Sequence, residues 1–218
     1  AAVPQAHDDL RGLSQADSVA VDPHKWLYAP LEAGCTLVRD PEILRSAFAY
    51  HPPYYHFDEQ ATNYVDYGPQ NSRGFRALKV WLALKLVGAV GYRNMIADDI
   101  RLSKAMAQAV SRHAELQLMT QELSITTFRY VPSDLRARLQ ESEVELHLDA
   151  LNRELVDRLQ RGGEIFVSNA VVDGHYILRA CIVNFHTTQA DVEAVPNVVA
   201  RIGREVDAEL RPTNLRPA

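Results

Sequence analysis

The 218-residue sequence predicts an α/β chain, and three observations carry that prediction. A short apolar run, Val19-Ala20-Val21, stops at Pro23, as a buried strand of a parallel sheet would. Two longer stretches place apolar residues at helical spacing: Phe75, Leu78, Trp81, Leu82 and Leu84, then Val144, Leu148, Leu151, Leu155 and Leu159. Near the carboxyl end, two apolar runs flank Asp173-Gly174, the turn pair of a β-hairpin.

Taken in order, residues 7 to 16 read as a short helix with Leu10 and Leu13 on one side, ahead of the strand. Residues 27 to 31 read as a loop, and Gly34 to Arg39 as a second strand ended by Asp40-Pro41. Glu42 to Ala49 make a brief helix. Tyr50 to Asn71 have no apolar period, and an unstructured connection of that length inside a compact domain is usually functional. The Phe75 helix is closed by Gly88, and Tyr92 to His113 form a second helix with Met95, Ile96, Ile100, Met106 and Val110 inward.

Leu116 to Met119 and Ser124 to Val131 read as strands, the second alternating through Ile125, Thr127 and Arg129. The charged run Arg136 to Glu145 reads as a solvated entry to the Val144 helix, which Gly162-Gly163 stop. After the hairpin, Val192 to Leu210 form a last helix capped by Thr187 or Thr188, with Pro196 in its first turns, and residues from Arg211 onward are expected to fray. Domain organisation follows from these elements: a larger α/β part over 1–112, with a functional loop at about 50–72, and a small α+β domain over 113–218.

Composition limits the function classes. With 47% hydrophobic residues the chain can bury a sizeable core, and a net charge of −5 gives no reason to expect nucleic acid or an anionic membrane as partner. No run approaches the roughly 20 apolar residues of a membrane span, and no signal-peptide pattern is present. Cys35 and Cys181 lie far apart in apolar runs and are expected to be buried, reduced thiols of a cytoplasmic protein.

The chemistry concentrates at Asp22-Pro23-His24-Lys25-Trp26. Ligands of open α/β sheets sit beyond the carboxyl ends of strands, where His24 and Lys25 fall. A lysine stripped of part of its water there becomes a usable nucleophile toward an aldehyde, with Trp26 as an apolar wall; a solvated loop lysine is the plain alternative. His51 and His56 read as solvated loop histidines, and His113, His147, His175 and His186 show no metal-ligand spacing. Arg179 on the hairpin is expected in a structural ion pair.

Asp22-Pro23-His24-Lys25-Trp26, Gly34-Cys35-Thr36-Leu37-Val38 and Ser72-Arg73-Gly74-Phe75-Arg76-Ala77-Leu78-Lys79-Val80-Trp81 together resemble the pyridoxal-phosphate-dependent group II amino-acid decarboxylases, the family of aromatic-L-amino-acid decarboxylase. The resemblance implies part of an aminotransferase-like (fold type I) large domain followed by the small α+β domain. It implies a carboxy-lyase that converts an L-amino acid, most simply an aromatic one, to its amine and carbon dioxide; acidic and diamino substrates use the same scaffold.

By resemblance Lys25 carries pyridoxal 5'-phosphate as a Schiff base. Tyr54 takes the place of the catalytic-loop tyrosine that donates a proton, although Tyr55 is one register away and both could simply cover the surface. Relatives with phenylalanine at the catalytic position give an aldehyde. His24 is implied near the cofactor phosphate. Asp22, at a position that often carries asparagine, is either a phosphate-region ligand or a strand-end residue. Ser72 and Arg73 are placed at the head of the Phe75 helix, where backbone N–H groups favour an anion, and Gly74 stands where eukaryotic members have a second arginine.

Family members are homodimers, so Tyr54 is expected to act on the neighbouring subunit's site. The ring-nitrogen aspartate and most of the phosphate cup are expected before Ala1, which makes this the carboxyl-terminal part of a decarboxylase. The contrasting expectation is a truncated, inactive product that serves only as a folding or dimerisation partner.

Overall fold

The computed structural model describes residues 3–56, 58 and 61–216. They divide into two compact units, Ala1–Asn94 and Met95–Ala218.

In the first unit, the expected amino-terminal helix is instead two 3-10 turns, Pro4–Ala6 and Arg11–Gln15. Strand β1 (Ser18–Val21) pairs antiparallel with β2 (Cys35–Val38), in the register Ser18↔Val38 to Val21↔Cys35. This corrects the parallel, buried strand of the sequence reading. Parallel neighbours need a long crossover, whereas the connection 22–34 simply turns back. Among the described residues no third strand joins this ribbon, so the side chains of β1 are only partly covered.

Helix α1 (Pro41–Phe48) begins where expected, because the Asp40 side chain accepts a hydrogen bond from the Glu42 N–H at 3.0 Å and Pro41 needs no partner in the first turn. The loop that follows contains one 3-10 turn, Tyr64–Tyr67. Helix α2 (Arg76–Arg112) is interrupted at Gly88, whose φ of 69° only glycine adopts at little cost, in agreement with the predicted stop. Its first helical residue is Arg76, so Ser72 lies ahead of the first turn and not at the helix head as expected.

The second unit is a four-stranded antiparallel sheet in the order β3-β4-β6-β5, where β3 is Leu116–Glu122, β4 Ile125–Tyr130, β5 Ser168–Val172 and β6 His175–Cys181. Helices α3 (Ser142–Gly162) and α4 (Gln189–Leu210) join it. Leu102, Met106 and Val110 meet Phe128, Leu155, Leu178, Val199 and Val206 in one core. The predicted periodicity of α3 is realised in full, with Val144, Leu148, Leu151, Leu155 and Leu159 all buried.

Helix α3 ends on Gly163 in the left-handed conformation. The hairpin turn has positive φ at both Asp173 and Gly174, the mirror-image turn that matches strand twist. Thr188 is the α4 cap, in a reciprocal box with Asp191.

Four expectations change here. β4 does not alternate: as an inner strand it is buried on both faces from Thr126 onward. Pro196 sits at the eighth position of α4, past the first turns, and is buried. The Arg136–Glu145 stretch is only partly solvated, because Val144 is buried and the Arg136 guanidinium donates to the carbonyls of Ala114 and Leu116. The tail does not fray at Arg211: that guanidinium bonds Asp134 and Asp207, and Leu215 is buried in a final 3-10 turn, Thr213–Leu215.

Cys35 and Cys181 are free but exposed, which corrects their expected burial; Cys35 lies on the thinly covered ribbon, and Cys181 is the last residue of β6. No helix among the described residues is long and apolar enough to cross a membrane.

Candidate active site

The turn after β1 is built from backbone hydrogen bonds. The Lys25 N–H donates to the Asp22 carbonyl (2.9 Å), Tyr28 to Lys25 (3.1 Å) and Ala29 to Pro23 (3.0 Å). Pro23, Ala29 and Ala33 are buried, and the Tyr92 hydroxyl of α2 donates to the Leu27 carbonyl at 2.9 Å; burial holds that phenol's pKa above its ordinary value. His24 closes the turn on its other side. Its Nδ1 lies 2.7 Å from the Ala33 carbonyl and 3.2 Å from the Ala33 N–H. A neutral ring can satisfy only one of these, and the shorter contact assigns the proton to Nδ1. Nε2 then becomes a donor to an anion only when the ring is protonated.

Asp22, His24 and Lys25 therefore come together on one turn. Lys25 Nζ lies 2.6 Å from Asp22 Oδ2, and that hydrogen bond holds the Asp22 carboxyl below its usual range. The expectation of a desolvated lysine is corrected: its side chain is 68% exposed, because the two-stranded ribbon leaves its carboxyl end open. The Asp22 carboxylate faces the Lys25 amine. Nearby, Arg76 donates to Glu32 (Nε 2.8 Å) and keeps that carboxyl low.

Tyr54 and Ser72 are not joined to this turn by any hydrogen bond among the described residues. Tyr54 is 72% exposed and packs edge-on against Tyr55, with ring centroids 4.8 Å apart. Ser72 is exposed.

What the sequence reading missed lies in the same loop. A cleft of about 850 Å³ is lined by Thr36, Phe48, Tyr64, Tyr67, Gly68 and Arg73, among others. Arg73 stands so close to Gly68 that an added Cβ there would come within 2.9 Å of its guanidinium. Asp66, a buried carboxylate, accepts from His51 Nε2 at 2.8 Å, so His51 is not a merely solvated loop residue. Its one signal in sequence was a carboxylate flanked by Val65 and Tyr67. In the second unit, His147 pairs with Asp207 and His175 with Glu145. Arg179 makes no ion pair among the described residues; it lies 3.5 Å from the Ser168 hydroxyl, contrary to expectation.

A lysine amine at a strand end beside an imidazole is a group that can take up an aldehyde. Comparison with known proteins specifies it. The pyridoxal-dependent decarboxylase conserved domain matches residues 2–131, more than half of the chain, and this protein belongs to that family.

The chain is 31% identical over 202 residues to an aromatic-L-amino-acid decarboxylase of Bacillus atrophaeus, covering 90% of this chain and 41% of that protein. It is 27% identical to a phenylacetaldehyde synthase of a Rosa hybrid cultivar, over 90% of this chain and 39% of the relative. Among solved structures, Oryza sativa TDC with PLP and tryptamine superposes with a TM-score of 0.80 at 24% identity, over 93% of this chain and 42% of that one. The fold is thus that of the fold type I decarboxylases, and the chain spans about two fifths of the length of these relatives.

The residues present fit pyridoxal phosphate in part: an accessible amine for its aldehyde and an imidazole next to it for its phosphate.

Proposed function

We propose that this chain forms part of an enzyme that decarboxylates an aromatic L-amino acid, with Lys25 as the residue that holds pyridoxal phosphate. The observation that carries the reading is the turn at Asp22–Lys25, which presents one amine at a strand end in a chain of the pyridoxal-dependent decarboxylase family. The bound cofactor supplies an electron sink for the pair left on Cα when carbon dioxide departs. The chain's own residues bind and move protons. Lys25 Nζ would hold the cofactor covalently through its aldehyde. His24, anchored on Ala33, presents Nε2 to the phosphate. Asp22 acts on Lys25 and not on phosphate, and Ser72 is left as an accessory hydroxyl on the segment leading to α2.

Tyr54 is the proposed donor of the proton that returns to Cα, since a phenol O–H can donate. One observation favours a rival within the same loop: Tyr67, unlike Tyr54, lines the 850 Å³ cleft with Arg73. Substituting each by phenylalanine in the longest natural form of the protein separates them. The donor's loss should turn amine product toward aldehyde, while the other variant keeps amine as the product. If neither shifts the product, proton donation from this loop is wrong.

A homodimer completes the reading, with the loop of one subunit acting on the site of the other. The exposure of Lys25 and Tyr54 within a single chain supports it, and sedimentation of the protein at micromolar concentration tests it. A cytoplasmic setting is in keeping with two unbridged thiols. The contrasting reading, a product that serves only as a folding or dimerisation partner, is favoured by the large apolar surface of the first unit. Absorbance with added pyridoxal phosphate decides between them: a band that borohydride fixes on Lys25 supports the enzyme, and no adduct supports the partner role.

A further inference from the structure

The turn that offers Lys25 also restrains it. Lys25 Nζ is 2.6 Å from Asp22 Oδ2, a separation at which ammonium and carboxylate share a proton-bearing hydrogen bond. The pair spans the four residues of a turn whose backbone is closed by the Lys25 N–H to Asp22 C=O bond and by buried Pro23. Among the described residues Lys25 has no other ion-pair partner, and Asp22 has no other cation within ion-pair reach. The other titratable groups near this turn are His24 and Glu32, the latter occupied by Arg76 with Lys79 also near.

We propose that Asp22 is a brake on the lysine: it holds the amine as a paired ammonium until an aldehyde arrives, so that attachment requires the pair to open and the amine to lose a proton. The inference rests on Lys25 being the cofactor lysine and adds to it the control of when that lysine reacts.

The balance of the step identifies what Asp22 can and cannot do. An ammonium ion has no lone pair for a carbonyl carbon. When the amine reacts, the nitrogen–carbon bond forms, the aldehyde oxygen leaves as water, and the proton shed by the ammonium goes to solvent. Asp22 is not its acceptor, because the same pairing that holds the lysine keeps the carboxyl below its ordinary range. Replacing the carboxylate by an amide removes the stabilisation of the ammonium and leaves the turn's backbone bonds intact.

The test is the rate at which pyridoxal phosphate becomes attached to Lys25 in the full chain, trapped with borohydride and mapped by mass spectrometry. The three other lysines, Lys79, Lys85 and Lys104, serve as internal references. In Asp22→Asn, attachment at Lys25 is expected to run about two- to fivefold faster at neutral pH, the range that an exposed pair supports. Salt at 1 M should speed the native chain and leave Asp22→Asn unchanged, because screening opens only a pair that exists. Asp22→Glu, which keeps the charge, should stay near the native rate, and Asp22→Ser should repeat the asparagine result if one variant folds poorly.

Equal Lys25 rates in native and Asp22→Asn chains, with Lys25 still labelled, overturn the brake and leave the cofactor-lysine reading standing. Failure of Lys25 to label above the three references in every chain overturns both.

Discussion

The half of the chain that carries Lys25 and the half that does not differ in how they use the same kind of apolar residue. In the second unit Leu148, Leu151 and Leu155 of α3 are fully buried, Leu151 and Leu155 in the core shared with the sheet and α4 and Leu148 in a smaller cluster with Leu135, Val144 and Leu215. In the first, Leu78, Trp81, Leu82 and Leu86 of α2 also recur at helical spacing, yet all four are exposed, Leu86 by 87%. Helical spacing of leucines therefore identifies a helix without saying whether anything covers it. An uncovered apolar surface of this extent marks an interaction face. The unit that carries the Lys25 turn is the one that leaves its surface open, while the other unit is stabilised by its own core.

The contrast is broken most directly by truncating one leucine on each side. Leu155→Ala should cost about 2–5 kcal/mol, read as a lower denaturation midpoint, because it opens a cavity in a close-packed core. Leu86→Ala should move the midpoint by no more than about 0.5 kcal/mol. A large loss at Leu86 in the isolated chain would show that its surface is already covered.

Overpacking sharpens the same point. An added Cβ on Gly203 of α4 would come within 2.7 Å of the buried Tyr130 ring, so Gly203→Ala should destabilise by about 1–3 kcal/mol. Asn152 has a comparable effect by another route. Its amide accepts from the Tyr130 N–H (2.8 Å) and donates to the Tyr130 and Leu148 carbonyls (3.0 and 2.8 Å), standing in for a ladder partner at the end of β4. Asn152→Ala strands those buried groups and should cost about 1–3 kcal/mol, visible as faster amide exchange at Tyr130.

Acid should act on the second unit first, and with a smaller effect. Burial raises the Asp207 carboxyl, but hydrogen bonds from His147 and Arg211 outweigh it and leave the pKa lowered; Glu115 is lowered chiefly by Arg204. Folded-state values below the unfolded ones mean stability that is complete above the ordinary 3.8 and 4.5 and lost as pH falls through and below them. Midpoints measured between pH 6 and 2.5 should fall on the acid side, and Asp207→Asn should flatten that limb. An unchanged limb in Asp207→Asn would remove this pair from the account.

Much of this was legible in advance, and the failures share a cause. The strand before Lys25, the Asp40-Pro41 helix start, the Gly88 break, the Asp173-Gly174 turn and the Thr188 cap all depend on residues within a few positions of one another. The direction of β1 relative to β2, the exposure of Cys35 and Cys181, the burial of both faces of β4 and the anchoring of Arg211 depend on what lies alongside, and were read wrongly. In the site, the adjacency of Asp22, His24 and Lys25 was readable because four residues of one turn hold them. The meeting of His51 with Asp66, and the cleft between Tyr67 and Arg73, were not, because loop closure leaves no periodic mark.

Alone, then, the order of residues determined the local alphabet of this protein: where backbone dihedrals must change, where a helix starts, and which amine stands at the end of a strand. Tertiary structure decided which apolar faces find cover and which charges find partners. Those outcomes depend on surfaces brought together from distant parts of a chain, and burial and Coulombic pairing act between whatever groups become neighbours, regardless of their separation in sequence.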